Sequence, residues 1–328
     1  MRQIPRWAVF AVLCAVMVAP VASRAVSCTT QSEMAPADRD ALARAGQQFA
    51  LAVEQQDLGA LQSALLPAVA GDWDSIRDAV QQGGPLVKGG KVQLRSLYVL
   101  DATSQTAPAD TQFFCSNASA SLTVTISMRQ LPPGKYALVL ADAAGAQFAG
   151  QMGFVLGWDA NTWKVGGVFV RPGAFDGHDG VWYWEQARQL AAHNAPWAAY
   201  YSYDVARYLL LPVDFLSSPN LQKLDQEQSE IKNPPTQSFP FTVTAGDRSW
   251  KINGVNFDPA LHEADLGVTY VSAGVTDPAA QHTEAIAVLG AVLKAHPALR
   301  QSFHGMWAYA SMNGRTTPIM ELPMSQIP

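Results

Sequence analysis

The densest group of chemistry-bearing side chains in this sequence is Asp176-Gly177-His178-Asp179-Gly180, two carboxylates and an imidazole within four residues. Carboxylate oxygens and neutral imidazole nitrogens are donors that hold a divalent cation, and the same groups can pass a proton near neutral pH. Glycine on both sides marks a loop, and Asp179 stands where it would cap a helix beginning at Val181 by accepting from the free N–H groups of the first turn. That second role needs no ligand. Trp182, Tyr183 and Trp184 follow at once. Successive helical residues point about 100° apart, so at least one of these rings faces a neighbouring domain or solvent, as packing or as a platform for a carbohydrate or aromatic ligand. Asp176, His178, Asp179, Trp182 and Trp184 are therefore the candidate binding residues, and no catalytic residue can be named.

Elsewhere the chemistry is sparse. His262, His282, His296 and His304 lack the close spacing of a metal-binding pair, so neither a metal site nor a cofactor is expected. Ser302 lies near His304 but has no nucleophile elbow or oxyanion-forming loop around it. The chain contains no GxSxG, P-loop, GxGxxG, HExxH or CxxC string, which disfavours serine-hydrolase, nucleotide-dependent, zinc-protease and thioredoxin-like classes. A formal charge of -5, with 22 Lys and Arg scattered along 328 residues, argues against nucleic acid as a partner.

Two signals concern the compartment. Arg2 and Arg6 precede an uncharged run from Trp7 to Ala19, and small residues at Ser23 and Ala25 offer cleavage points, so residues 1–25 read as an export signal. The run is too short to span a bilayer, and a soluble periplasmic or extracellular protein is expected. Removal of Cys14 with the signal would leave Cys28 and Cys115, an even pair suited to a disulfide in an oxidising compartment. Ala25-Val26-Ser27-Cys28 also resembles a bacterial lipoprotein box, with Ala25 in place of the usual leucine. That resemblance implies a lipid anchor on Cys28 as the one route to a membrane. The sequon Asn117-Ala118-Ser119 would matter only in a eukaryotic secretory pathway.

The elements that must position these residues fall into an α+β arrangement. Pro36 opens a helix with Leu42, Ala45, Phe49 and Val53 at helical spacing; Asp57 caps a second holding Leu58, Leu61 and Leu65; a third carries Trp73, Ile76 and Val80 and stops at Gly83-Gly84. Period-two alternation then marks strands through KVQLRSLYVL, SLTVTISM and KYALVL, followed by a hairpin turning at Asp159-Ala160-Asn161. Helices followed by about five antiparallel strands resemble the nuclear transport factor 2-like (ketosteroid isomerase-like) fold. The resemblance implies a curved sheet around a conical pocket, where the enzymes of that group place an Asp base and a Tyr donor. Tyr98 and Asp101 are on one strand but three residues apart, so they face opposite sides.

Residues 177–219 read as a helix, a short turn and a second helix, and hold three of the nine tryptophans. Ala187, Leu190, Ala199, Tyr203, Ala206 and Pro212 resemble the register of one tetratricopeptide unit; with no second copy, the hairpin is expected to pack on its flanking domains. A polar helix to Lys232 and a Pro-rich linker lead to a hairpin at Gly246-Asp247, a third strand, a helix opening at Asp277-Pro278 and a last hairpin at Asn313-Gly314.

The expected organisation is thus signal 1–25, linker 26–34, α+β domain 35–175, hairpin and linker helix 176–232, linker 233–238 and α+β domain 239–328. As a whole this order resembles secreted bacterial proteins. The expected function is a non-catalytic module of the cell envelope that binds a small molecule or an envelope protein. The alternative is an isomerase- or hydrolase-like enzyme working in the conical pocket.

Overall fold

A computed structural model describes residues 26–116, 123–144 and 148–328. The expected export signal and the sequon at Asn117 lie outside the described residues. The chain is α+β, with four sheets and seven α-helices among the described residues.

The first unit begins with β1 (Ser27–Thr30) and three helices, α1 (Pro36–Glu54), α2 (Leu58–Ser63) and α3 (Trp73–Val87). Strands β2 (Lys91–Asp101), β3 (Ala109–Ser116), β4 (Thr123–Leu131), β5 (Lys135–Ala144), β6 (Gly150–Asp159) and β7 (Thr162–Pro172) follow. They split into two antiparallel sheets: a five-stranded one ordered β1-β2-β5-β6-β7, and one in which β4 lies beside β3. Register shifts at Leu94/Ser96 and Val155/Leu156 mark bulges, which bend and twist strands. Strand β5 is buried on both faces: Ala137, Val139 and Ala141 pack with Met152 and Phe154 of β6 in the core under α1 and α3, while the alternating Leu138 and Leu140 face the core shared with β3 and β4.

Asp57 caps α2 as expected, accepting from Ala60 N. The expected stop of the third helix at Gly83-Gly84 is corrected, because α3 continues through Pro85 to Val87. Both glycines serve close packing instead. A Cβ at Gly83 would overlap Val170 of β7, and one at Gly84 would overlap Gln56.

The disulfide Cys28–Cys115 joins β1 to β3, with Cα atoms 5.1 Å apart. A sulfur held in this bond is not available for a lipid thioether, so the lipid-anchor reading of Cys28 gives way to the disulfide.

After β7 the chain makes a tight two-stranded ribbon, β8 (Ala174–Phe175) and β9 (His178–Asp179). Its turn is Asp176-Gly177, both at positive φ, the conformation that Asp-Gly turns adopt readily. The helical hairpin α4 (Gly180–Ala192) and α5 (Pro196–Leu210) follows, then β10 (Leu216–Ser217), which adds to β4, and α6 (Pro219–Ser229) against α5.

The last unit is a sheet of β11 (Phe241–Ala245), β12 (Arg248–Asp258), β13 (Asp265–Val271), β14 (Gly305–Met312) and β15 (Arg315–Pro323), in that order. Helix α7 (Pro278–Ala295), capped by Asp277, connects β13 to β14 as a crossover, and that pair is parallel while the others are antiparallel. One continuous apolar core joins the hairpin to this sheet and α7, through Tyr183, Trp197, Tyr201 and Leu209 on one side and Trp250, Val268, Leu289 and Met306 on the other. Toward the first unit the hairpin is held by hydrogen bonds: Gln151 Nε2 donates to Leu209 O at 2.7 Å and Arg171 Nη1 to Leu211 O at 3.1 Å.

Candidate functional site

The register of the last sheet places Asp258 opposite Asp265, Leu266 beside Met306 and Trp307 opposite Glu321. The end of β12, the starts of β13 and β14 and the end of β15 therefore meet at one end of the sheet. Asp258, Asp265, His304, Tyr309 and Glu321 sit there, with Glu263 on the loop entering β13. The turn Asp176-Gly177 and Tyr183 of α4 approach the same end, since Asp176 bonds to Glu263 and acts electrostatically on both Tyr183 and His304.

Two carboxylates directly opposite on neighbouring strands repel unless each is answered. Asp258 accepts from Tyr309 Oη at 2.5 Å and from Ala260 N at 3.1 Å. Asp265 is fully buried, and its Oδ1 faces His304 Nδ1 at 2.9 Å. Its Oδ2 has no hydrogen-bond donor, and neither does the buried Oε1 of Glu321. Buried carboxylate oxygens without donors are costly, and this chain places two in one group. Gly305 makes the approach feasible: a Cβ there would overlap Glu321 Oε1 and come within 3.0 Å of Asp265 Oδ1.

The electrostatics follow from that crowding. Burial, then the hydrogen bond to Asp176 and its charge, push the Glu263 carboxyl up to about 7. Burial also raises Asp265, partly opposed by its bond to His304, and raises Glu321, with the Asp265 charge adding to the effect. For His304, burial works against the imidazolium, but the bond and charge of Asp265, with the charges of Glu263 and Asp176, outweigh it and lift the ring above the ordinary histidine range. Tyr183 is held protonated by burial first and then by the charges of Asp176 and Glu263. The side chain of His304 is 33% exposed and Asp176 is exposed, so the group is open to solvent on that side.

Of the five binding candidates in the sequence, one reaches this group. Asp176 does so through Glu263. Asp179 accepts from Trp182 N at 2.9 Å and caps α4. The His178 ring stacks on Trp182 at 3.7 Å, and Trp182 is exposed. Trp184 Nε1 donates to Glu227 of α6 at 2.7 Å, which makes it a packing residue. The string at 176–180 thus does not converge on one ligand. Asp265, Glu263 and Glu321 were not singled out in the sequence, and the only pointer to them was His304 just ahead of a strand.

The first unit offers less. Phe49, Leu61, Val80, Leu97, Phe154 and Trp163 fill the space between its sheet and α1–α3, with Trp73 packed against them. The least exposed carboxylates among the described residues, Asp258, Asp265 and Glu284, all belong to the last unit. A surface groove of about 830 Å³ beside β3 and β4 is lined by Asp110, Arg129, Asp214 and Phe215, but its charged groups are exposed and solvated. The carboxylate group at the sheet end carries more chemistry, because Asp265 is buried and one of its oxygens has no donor.

No protein-family model matches this chain, nor does any curated protein or solved structure.

Proposed function

We propose that this is an exported, non-catalytic binding module of the cell envelope that takes a cationic ligand at the end of its last sheet. The observation that carries the reading is the pair of buried oxygens, Asp265 Oδ2 and Glu321 Oε1, that accept from no donor. Asp176, Asp258, Glu263, Asp265 and Glu321 bring five carboxyl groups together with one imidazole, so the group favours an added positive charge even with His304 protonated. The non-catalytic reading is supported by Ser302, whose hydroxyl donates to Ala298 O at 2.9 Å and does not complete a triad with His304 and Asp265. Export is supported by the charged start and apolar run of residues 1–25 and by the Cys28–Cys115 disulfide. No helix among the described residues is long and apolar enough to cross a membrane.

Thermal unfolding of the disulfide-bonded chain at low ionic strength, with Zn²⁺, Ca²⁺, spermidine or tetramethylammonium added, tests this. At least one of these cations should raise the midpoint saturably, and Glu321→Gln should remove the rise. If none of them stabilises the chain up to roughly 10 mM, the cation-binding reading fails, because linkage requires a ligand of the native state to raise stability.

A further inference from the structure

Resting on that reading, the geometry points to a divalent transition-metal ion, of the Zn²⁺ class, held by Asp265, His304 and Glu321. One ligand atom from each of the three lies within 4.8 Å of the other two. A zinc ion with bonds of about 2.0–2.2 Å holds tetrahedral ligands roughly 3.4 Å apart, so closing the triangle takes about an ångström of side-chain adjustment. Glu321 and His304, neither fully buried, can supply it. The Asp265 Oδ1 to His304 Nδ1 separation of 2.9 Å is already close to an edge of such a polyhedron.

A cluster of acidic groups alone would not argue for an ion. Asp265 adds an independent observation. Its side chain has no solvent exposure, and one of its oxygens lacks any donor. Glu284, the other carboxylate most deeply buried in this unit, shows what a purely structural solution looks like: it accepts from Trp250 Nε1, Ser272 Oγ and Ala273 N. Asp265 is answered at Oδ1 by His304, with the backbone N–H of Gly305 also favouring its charge, but its Oδ2 has no donor. Gly305 strengthens the case, because the absence of a Cβ keeps the space between Asp265 and Glu321 open.

The donor set chooses the ion. Two carboxylates alone suit Ca²⁺ or Mg²⁺, which prefer six or more oxygens, whereas an imidazole and only three protein ligands favour zinc and its neighbours. Three protein ligands also leave a coordination position for water or an exogenous group, on the side where Asp176 and Glu263 stand. Histidine spacing in the sequence led to the expectation of no metal. The proposed ligands come from the starts of β13 and β14 and the end of β15, a juxtaposition that only the sheet creates.

The test is calorimetric titration of Zn²⁺ into the full disulfide-bonded chain after metal removal with EDTA, paired with the visible spectrum of the Co²⁺ form. One ion per chain is expected, with Co²⁺ bands of a four- or five-coordinate site. Glu321→Gln and His304→Asn should each weaken binding by at least roughly tenfold, since loss of a single ligand or its support has effects of that order. The exposed His282 of α7 serves as control, and His282→Ala should bind as the parent does. Circular dichroism of each variant separates lost binding from lost folding. No Zn²⁺ uptake by the parent overturns the proposal, as does uptake that both site variants retain or Ca²⁺ binding equally tight without His304. If Zn²⁺ fails while spermidine still stabilises the parent and not Glu321→Gln, the metal assignment falls and the cation-binding reading stands. If neither binds, both fall.

Discussion

Asp265 and Glu284 lie in the same core unit, yet their charges are answered differently. The donors around Glu284 together overcome the effect of burial and hold its carboxyl below the usual glutamate range, whereas for Asp265 burial wins and the carboxyl is raised. Asp204 of α5 belongs to the second kind. Burial raises it to about 6, with the bond from Gln228 Nε2 at 2.6 Å opposing the shift. An unfolded aspartate titrates near 4, so below that pH both states hold the proton and Asp204 contributes no pH dependence. Between about pH 4 and 6 the unfolded chain releases the proton while the folded chain keeps it, and stability falls as pH rises. Above about 6 the penalty is complete, about 2 kcal/mol after allowance for partial solvation. Asp204→Asn keeps an oxygen for Gln228 and cannot ionise. Urea unfolding from pH 4 to 7 should therefore show the variant gaining on the parent by about that amount, and a difference that stays flat with pH would show that Asp204 is already solvated in the folded chain.

Elements were the scale at which the sequence spoke most clearly, because caps and turns are local. Asp57, Asp179 and Asp277 accept from the first-turn N–H groups their positions implied, and Asn313-Gly314 forms its turn with both residues at positive φ. The end of α3 was missed because glycine has two uses, stopping a helix and letting one approach a sheet, and only the position of Val170 decides between them. The role of Trp184 was hidden for a similar reason, since its partner lies 43 residues away on α6. There Glu227 accepts from Trp184 Nε1, from Arg188 Nε at 2.8 Å and Nη2 at 2.9 Å, and from Tyr203 Oη at 3.3 Å. Glu227 thus fastens α6 to both helices of the hairpin, and a forked arginine contact is stronger than a single ion pair. Arg188 is 43% exposed, which limits what the charge contributes. Glu227→Ala should lower stability by about 1–2 kcal/mol in chemical denaturation, chiefly by leaving Trp184 Nε1 without its acceptor. Amide exchange should rise first along α6, and unchanged exchange there would mean that Leu221 and Leu224, with the Gln228–Asp204 and Arg207–Asp225 contacts to α5, hold the helix without Glu227.

For the molecule as a whole, the candidate site was the part least visible in sequence. His304 stands 39 residues after Asp265 and 17 before Glu321, and no local spacing joins residues that meet only because β13, β14 and β15 are neighbours. The disulfide was easier, since two cysteines remain once the first 25 residues are set aside and they admit one pairing. Its mechanical meaning still needed the fold. The bond ties the edge strand β1 of the five-stranded sheet to β3 of the other sheet, beside the core formed by Leu100, Phe113, Ile126 and Leu138. Closing a loop between residues 87 apart restricts the unfolded chain by about 4–5 kcal/mol in the chain-entropy account. Replacing both cysteines by alanine should therefore lower unfolding stability by about that amount, with the denaturant slope rising because the unfolded chain expands. Cation binding at the far sheet should persist in this variant wherever it remains folded, since neither cysteine touches that site. A loss well under about 1 kcal/mol would mean that the reduced unfolded chain already keeps the two strands close, and the bond would then act by fixing the seam between the two sheets rather than by restricting the unfolded chain.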